Sequence, residues 1–388
     1  MLSFDNTEIA FRTKTTSELL KAWGLFTFIS KNNLVKLSKP LAGIAVKIGF
    51  PFTYFIKATI YEHFCGGESI RECETVIAKL HKLKVGTILD YSVEGKETEE
   101  DFELTAQEII DTQERAALDD RIPFSVFKLT GIARFGLLEK LSSGEVLSEA
   151  EKHEYERVHQ RVERICKKAA EIDRCVMMDA EDSWIQPIMD ELMLEMMRRF
   201  NKDKALIYNT FQFYRHDRLQ KLKDLYAVAK EEGFLIGVKI VRGAYMERER
   251  ARAAEMGYNS PIQATKEDTD NDYDAALEFC IEHIDQIHLC AGSHNEKSAL
   301  KLVEFLNKHN ISKSDKRVYF SQLLGMSDHI SYNLSNAGYN VAKYVPYGPV
   351  KDVLPYLIRR AEENTSVAGQ TTRELNLINT ERERRRKK

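Results

Sequence analysis

The sequence predicts an α/β protein whose core is a (βα)8 barrel with an N-terminal helical arm, for three reasons. From residue 86 onward, short segments rich in β-branched residues alternate with longer amphipathic segments. The short segments, such as VMMD and IHLCAG, are apolar almost throughout, which is typical of parallel strands covered on both faces. Eight such units within about 300 residues favour a closed barrel over an open sheet. No GxGxxG motif, the mark of a dinucleotide-binding open sheet, follows any of them.

Residues 1–85 are predicted to form the helical arm. Periodic stretches at 16–23, 34–48 and 70–84 are separated by Asn, Pro and Gly residues, which interrupt helices. Segment 40–64 is the most apolar part of the chain, but two lysines interrupt it well short of the roughly 20 apolar residues that a spanning helix needs. We therefore expect a helix packed on the core or, alternatively, an interfacial helix that touches a membrane.

The barrel is expected to span residues 86–370. Its predicted strands are residues 86–92, 124–132, 175–181, 205–212, 235–242, 286–293, 316–323 and 340–348. Segment 133–173 is long for a connection between strands. Because it contains a turn at 142–144 and a charged helix at 148–170, we interpret it as an elaborated barrel helix rather than a separate domain.

The remaining segment, 371–388, is expected to be a charged C-terminal tail. Its end, residues 381–388, is rich in charges and lacks apolar anchors. These features favour a solvated or frayed end over a polybasic docking site.

The composition excludes several classes of protein. Lys and Arg together number 57 and Asp and Glu 60, for a net charge of -3, so no basic field favours nucleic acid as a partner. The six cysteines show neither CxxC pairs nor zinc-ligand spacing, and we expect reduced core thiols and no metal. Asp5 and Glu8 near the start suit neither a secretory signal nor a transit peptide, which predicts a cytoplasmic protein.

Polar side chains stand at the carboxyl ends of most predicted strands, where a barrel of this kind builds its active site. They are Asp90, Tyr91, Lys128, Asp179, Gln212, Lys239, Arg242, Ser293, His294, Tyr344 and Tyr347. Any one of them has an ordinary interpretation as a cap or a surface ion pair. Their occurrence in seven of eight strands predicts a ligand site at this rim.

The helix after the eighth strand adds a cationic face. Tyr356, Arg359, Arg360 and Glu363 stand at i, i+3, i+4 and i+7 and therefore line one side of it. Two guanidinium groups offer planar, bidentate recognition of a carboxylate. The alternative is a solvent-facing charged stripe with ordinary i,i+4 pairing.

This helix, YLIRRAEEN at 356–364, resembles the YLxRRxxEN signature of the proline dehydrogenase family. Further blocks resemble the family in the same order. They are FKLT at 127–130, DAE at 179–181, VRGAY at 241–245, SHN at 293–295, QLLGM at 322–326 and YVPYG at 344–348. Together they cover roughly residues 86–365.

The resemblance implies a distorted (βα)8 barrel that holds FAD noncovalently and oxidises L-proline to Δ1-pyrroline-5-carboxylate by hydride transfer to flavin N5. Arg359, Arg360 and Lys128 would bind the substrate carboxylate. Asp179, Leu323, Tyr344 and Tyr356 would shape the pocket, and Glu363 would support the arginine pair. The residues implied to hold FAD are Ala180, Gln212, Lys239, Val241, Arg242, Gly243, Ala244, Ser293 and His294, with Lys266 and Thr269 near the adenosine end. Catalytic roles fall on Asp179, as an orienting group, and on Lys239, whose charge would stabilise the reduced flavin.

Two features concern the branch of the family. The order Lys239-Ile240-Val241-Arg242 resembles the mitochondrial enzymes, whereas many bacterial relatives have Arg-x-x-Lys, so either cation can be the contact to flavin N5. The chain length leaves no room for the aldehyde dehydrogenase domain of bifunctional relatives. We therefore expect a monofunctional enzyme with a separate pyrroline-5-carboxylate dehydrogenase, a membrane quinone as electron acceptor, and peripheral contact at the inner face of the membrane.

Two alternative functions are also consistent with the sequence. The first is hydroxyproline dehydrogenase, although relatives with that preference tend to carry a smaller residue where this chain has Tyr344. The second is a barrel that binds FAD or proline without catalysis and acts as a sensor that docks on membranes.

Overall fold

The computed structural model describes residues 2–29, 57–93, 96–366 and 370–387. The helix predicted at 34–48 lies outside the described residues, as does most of the apolar segment 40–64. Within the part of the chain that is described, no helix is both long enough and apolar enough to cross a membrane.

Eight parallel strands close into a barrel in which each strand pairs with its neighbours in sequence and β8 pairs with β1. The strands are β1 Gly86–Tyr91, β2 Phe124–Lys128, β3 Cys175–Asp179, β4 Ile207–Gln212, β5 Ile236–Val241, β6 Ile287–Gly292, β7 Val318–Leu323 and β8 Val341–Tyr347. Each lies inside its predicted segment, which confirms the (βα)8 fold. The second prediction was too long, because the chain turns into a 3-10 helix at Leu129–Gly131.

The amino-terminal end of the barrel interior is filled by aromatic side chains. The ring of Phe124 packs edge-on against Tyr208 and Tyr319, with centroids 5.5 and 4.9 Å apart. All three residues stand at or near the start of their strands. Because this end is closed by packing, the polar groups at the opposite end are the ones that can meet a ligand.

Three labelled helices precede the barrel: α1 Thr7–Ala10, α2 Thr16–Ile29 and α3 Ile70–His81. The predicted helices at 16–23 and 70–84 are thereby confirmed. A short turn of π-helix at Lys57–Tyr61 continues into Glu62–Phe64. Tyr61 donates a hydrogen bond to the Gly348 carbonyl at 2.8 Å and so joins this turn to the end of β8.

Further helices follow the strands. They are α4 Glu99–Ala117, α5 Phe135–Ser143, α6 Glu149–Glu171, α7 Gln186–Phe200, α8 Arg218–Glu232, α9 Met246–Met256, α10 Lys266–Glu282, α11 Glu296–Lys308, α12 Asp328–Asn336 and α13 Val350–Ser366. The long connection after β2 is built as predicted. Gly144 ends α5 in the left-handed conformation at φ +74°, and Ser148 begins α6 with a capping box.

The C-terminal segment forms a docked helix, α14 Gln370–Arg386, so the prediction of a solvated tail was wrong. Leu377 and Ile378 of α14 pack into an apolar cluster with residues of the first two helices. Glu381 is fully buried and accepts hydrogen bonds from Arg384 and Arg385. The error has a physical reason, since the apolar anchors lie one turn upstream of the charge-rich end.

Candidate active site

Asp179, Lys239 and Tyr344 meet at the carboxyl end of the barrel interior. Lys239 forms a close ion pair with Asp179, and the Tyr344 hydroxyl donates to the other Asp179 oxygen at 2.7 Å. The Lys239 ammonium also lies 5.2 Å from the Tyr344 ring centroid. Burial, together with the nearby carboxylates, raises the pKa of Tyr344 well above its ordinary value, so the phenol stays a donor.

A second acidic group stands beside this cluster. Asp90, at the end of β1, is fully buried and is contacted closely by the Ser92 hydroxyl. The Lys128 ammonium lies 3.8 Å from an Asp90 oxygen. Burial raises the pKa of Asp90, and the charge of Lys128 opposes that shift. The floor of the mouth therefore alternates carboxyl groups with cations.

Arg242 is fixed in place at the end of β5. Its guanidinium donates to Asp270 at 2.6 Å, to the Ser293 hydroxyl at 2.8 Å and to the Ser298 hydroxyl at 2.8 Å. Its central carbon lies 4.3 Å from the Tyr273 ring centroid. Three donors and one stacked face leave the group little freedom, so its charge is held at one position.

Lys266, expected near the adenosine end, reaches the same cluster from the first turn of α10. Its ammonium lies 2.5 Å from Asp270, while its side chain is mostly exposed. Although burial opposes it, hydrogen bonds from Lys266 and Arg242 hold the pKa of Asp270 below its ordinary value. Thr269, on the buried side of α10, donates to the Thr265 carbonyl at 3.3 Å.

The backbone between β5 and α9 passes close to an aromatic ring. Gly243 has a φ of +134°, and a Cβ there would lie 2.5 Å from a Tyr214 ring carbon. Only glycine fits this conformation without strain. Val241 and Ala244 flank this turn in sequence. On the neighbouring strand, Gln212 donates to the Glu181 carbonyl at 2.7 Å, next to Ala180 in the chain.

Helix α13 brings two arginines toward the same end. Arg360 is 6 % exposed, and its guanidinium carbon lies 5.1 Å from the Tyr356 ring centroid. Arg359 is partly buried, with its guanidinium 5.8 Å from the ring of Tyr245. Burial of Tyr356 and Arg360 argues against a solvent-facing charged stripe. The side chain of Glu363 lies outside the described residues.

His294, after β6, is held by the loop that follows β7. Its Nδ1 lies 3.0 Å from the Ser327 hydroxyl. Burial lowers the pKa of His294 to about 3, and the nearby cations Lys343 and Arg360 reinforce the shift. The imidazole is therefore neutral at physiological pH and offers one donor and one acceptor.

Several site groups were not among the predicted residues. Asp270 and Ser298 orient Arg242, and Gln322 donates to the Ser293 carbonyl at 3.1 Å. Gln322 stands inside the QLLGM block, next to Leu323, which packs beside Tyr344. Asp270 follows Lys266 by four residues, a spacing that predicts a helical ion pair but not a contact with Arg242.

Comparison with known proteins decides the family. The family model described as proline dehydrogenase matches residues 73–373. The chain belongs to the proline dehydrogenase family. This match includes all eight strands and both arginines of α13. Membership in the proline dehydrogenase family assigns the chain to the oxidoreductases.

Three similar proteins illustrate the range of this family. The human proline dehydrogenase 1, mitochondrial, is 44% identical over 267 residues, which cover 67% of this chain and 44% of that protein. A hydroxyproline dehydrogenase from Xenopus laevis is 31% identical over 421 residues, covering 99% of this chain and 90% of that protein. The crystal structure of proline utilization A from Bdellovibrio bacteriovorus inactivated by N-propargylglycine superimposes with a TM-score of 0.73 at 21% identity. The superposition covers 93% of this chain and 38% of the Bdellovibrio bacteriovorus chain.

Proposed function

We propose that this protein is a flavoenzyme that oxidises L-proline to Δ1-pyrroline-5-carboxylate. The observation that carries the proposal is the cluster of Asp179, Lys239 and Tyr344 at the barrel mouth, in which the last two residues are buried. The buried Arg360 of α13 lies near His294, whose pKa its charge helps to lower. Family membership supports the same reaction.

The substrate carboxylate is assigned to Arg359 and Arg360, with Lys128 as a third cation. A guanidinium pair offers the bidentate geometry that a carboxylate requires. Tyr344, Tyr356 and Leu323 supply the walls around the five-membered ring. Asp179 is held by Lys239 and Tyr344 and therefore orients the substrate rather than acting as a strong base.

The donor set of the mouth fits FAD. Gly243 allows a close backbone approach, and Arg242, Lys266 and neutral His294 provide charges and donors suited to phosphate and ribityl oxygens. Bound FAD would accept at N5 the hydride that proline loses. Lys239, held by Asp179, would offset part of the negative charge that reduction adds to the flavin if the ring lies beside it.

The proposal also includes an electron acceptor and an enzyme that uses the product. A membrane quinone would reoxidise the protein, with peripheral contact between a cytoplasmic protein and the inner face of the membrane. A separate pyrroline-5-carboxylate dehydrogenase would consume the product. These partners follow the resemblance stated above and are proposed with it.

Hydroxyproline dehydrogenase is the second candidate, because the Xenopus laevis relative spans nearly the whole chain. Tyr344 favours proline over it. Its buried ring stands at the mouth, and its hydroxyl already occupies one Asp179 oxygen, so a ring hydroxyl on the substrate would compete for that space.

The experiment is anaerobic reduction of the purified full-length protein. We expect a yellow protein whose flavin absorbance bleaches on addition of L-proline and bleaches more slowly with 4-hydroxyproline at equal concentration. Faster bleaching by 4-hydroxyproline would select the second candidate. A yellow protein that neither substrate bleaches would indicate a non-catalytic sensor, and a colourless protein that fails to bind added FAD would refute the flavoenzyme.

A further inference from the structure

The loop between β7 and α12 contains a residue in an unusual backbone conformation. Ser327 is fully buried and adopts φ +51° and ψ +41°, in the left-handed region. A non-glycine residue is strained there, because its Cβ lies too close to the following carbonyl oxygen. Such a conformation persists when surrounding contacts hold it. Lys343 supplies some of these contacts, because its ammonium donates to the carbonyls of Leu323 and Met326 just upstream.

Ser327 joins two distant parts of the chain. Its backbone N–H donates to Glu374 of α14 at 2.6 Å, and its hydroxyl lies 3.0 Å from Nδ1 of His294. Glu374 is 4 % exposed and stands 47 residues after Ser327 in the chain. One residue therefore connects a carboxyl group on the C-terminal helix to a histidine at the barrel mouth.

We infer that Glu374 and Ser327 are positioning residues for His294, and through it for the bound flavin. This inference rests on the proposed function, which assigns His294 to the cofactor. A hydrogen bond to Nδ1 fixes the orientation of an imidazole and determines which nitrogen carries the proton. With Nδ1 taken by Ser327, Nε2 would be the nitrogen left for a ligand.

Glu374 suits this role because it holds the backbone of Ser327 rather than its side chain. The Ser327 hydroxyl then stays available to His294, while Glu374 holds the strained backbone through the Ser327 N–H. Burial raises the pKa of Glu374, and the Ser327 N–H and the nearby His329 oppose that shift. The Nδ1 of His329 lies 3.7 Å from the same Glu374 oxygen.

A matched control exists on the same helix. Glu381 lies two turns further along α14 and is fully buried, but its carboxylate contacts Arg384 and Arg385 of that helix. A change at Glu381 tests docking of the helix, because Arg384 pairs with Glu8 and Arg385 donates to the Phe11 carbonyl. A change at Glu374 tests docking and positioning together.

The experiment compares holoenzymes carrying Ser327→Ala, Glu374→Gln, Glu374→Met or Glu381→Gln. The rate of flavin loss after dilution is followed by fluorescence, and kcat and KM for L-proline are measured separately. We expect Ser327→Ala and Glu374→Met to lose flavin at least about 10-fold faster, as one hydrogen bond of about 1.5 kcal/mol implies. Glu374→Gln keeps an oxygen that accepts the Ser327 N–H, so its rate should stay within about threefold of the wild type.

In all four variants, KM for L-proline should stay near the wild-type value. Glu381→Gln should also retain flavin as the wild type does, even if the substitution lowers Tm. Flavin loss from Ser327→Ala at the wild-type rate, with an unchanged visible spectrum, would overturn the inference and leave the proposed function intact. Equal flavin loss from the Glu381→Gln and Glu374→Met proteins would overturn it too, since helix docking would then explain both. If Glu374→Met does not fold, Ser327→Ala decides alone. A wild-type protein that binds no flavin would instead refute the proposed function.

Discussion

The sharpest test of the barrel mouth is Tyr344→Phe, which removes one hydroxyl and keeps the ring. The hydroxyl donates to an Asp179 oxygen at 2.7 Å, within the short range of hydrogen bonds to charged groups. Asp179 keeps its ion pair with Lys239, so the change leaves the carboxylate held from one side only. We expect the Asp179 carboxylate to lose its orientation.

The magnitude follows from the strength of that bond. A hydrogen bond to a charged group contributes about 1.5–3 kcal/mol, and each 1.4 kcal/mol corresponds to a factor of ten. If this interaction orients the substrate in the transition state, kcat/KM for L-proline should fall by about 10- to 100-fold. Flavin content should remain at the wild-type level, because Tyr344 is not among the residues proposed to hold FAD.

Tyr347→Phe is the matched control on the same strand. Its hydroxyl points away from the mouth, within 2.6 Å of the Thr112 hydroxyl and 2.9 Å of Glu108. This substitution should lower stability without changing kcat/KM. Both proteins would be assayed in steady state with an artificial dye as electron acceptor, beside the wild type. Activity of Tyr344→Phe within about threefold of wild type, or an equal loss in Tyr347→Phe, would refute the role given to the Tyr344 hydroxyl.

Three further predictions concern charged groups. Arg359→Met and Arg360→Met should keep the flavin and raise KM for L-proline at least about 100-fold, as loss of a desolvated charge-assisted pair implies; flavin loss with unchanged KM would contradict this. Lys343→Met removes a fully buried ammonium 3.0 Å from Asp328. The substitution should lower the free energy of unfolding by about 3 kcal/mol. With an unfolding entropy of about 0.8 kcal/mol/K, this loss corresponds to a decrease of about 4 °C in Tm by calorimetry, and a decrease under about 1 °C would contradict the prediction. Burial raises the pKa of Asp182 from 3.8 to about 6, so its contribution to stability is complete below pH 3.8 and is lost as the pH rises through 6. In urea titrations, the unfolding free energy of Asp182→Asn should therefore equal that of the wild type near pH 4 and exceed it by up to about 3 kcal/mol at pH 7. A difference between the two proteins that does not change with pH would contradict the prediction.

The strands could be predicted from the sequence because each one is identified by the residues of a single short segment. A parallel strand covered on both faces is a short apolar run, and all eight runs contain the observed strands. The boundary missed after β2 reflects a different cause. Leu129 is fully buried although it lies in a 3-10 turn, so apolarity alone cannot separate turn from strand.

The C-terminal helix shows where local pattern fails. Residues 381–388 are charged, and charge runs are usually solvated. Glu381 is nevertheless fully buried, because apolar residues one turn earlier attach the helix to the first two helices of the chain. Burial of a charged residue depends on the surface it meets, and that surface is supplied by residues more than 300 positions away.

The barrel could be predicted from the eight alternating units of the sequence, and the polar rim and the cationic face of α13 from spacing within single elements. The partners of these groups became visible only in the folded chain: Asp179 with Lys239 and Tyr344, Arg242 with Asp270, and Glu374 with Ser327. Periodicity tells which face of a strand or helix is buried. It carries no information about which side chain lies opposite, because that depends on how the barrel closes and on where the terminal helix docks.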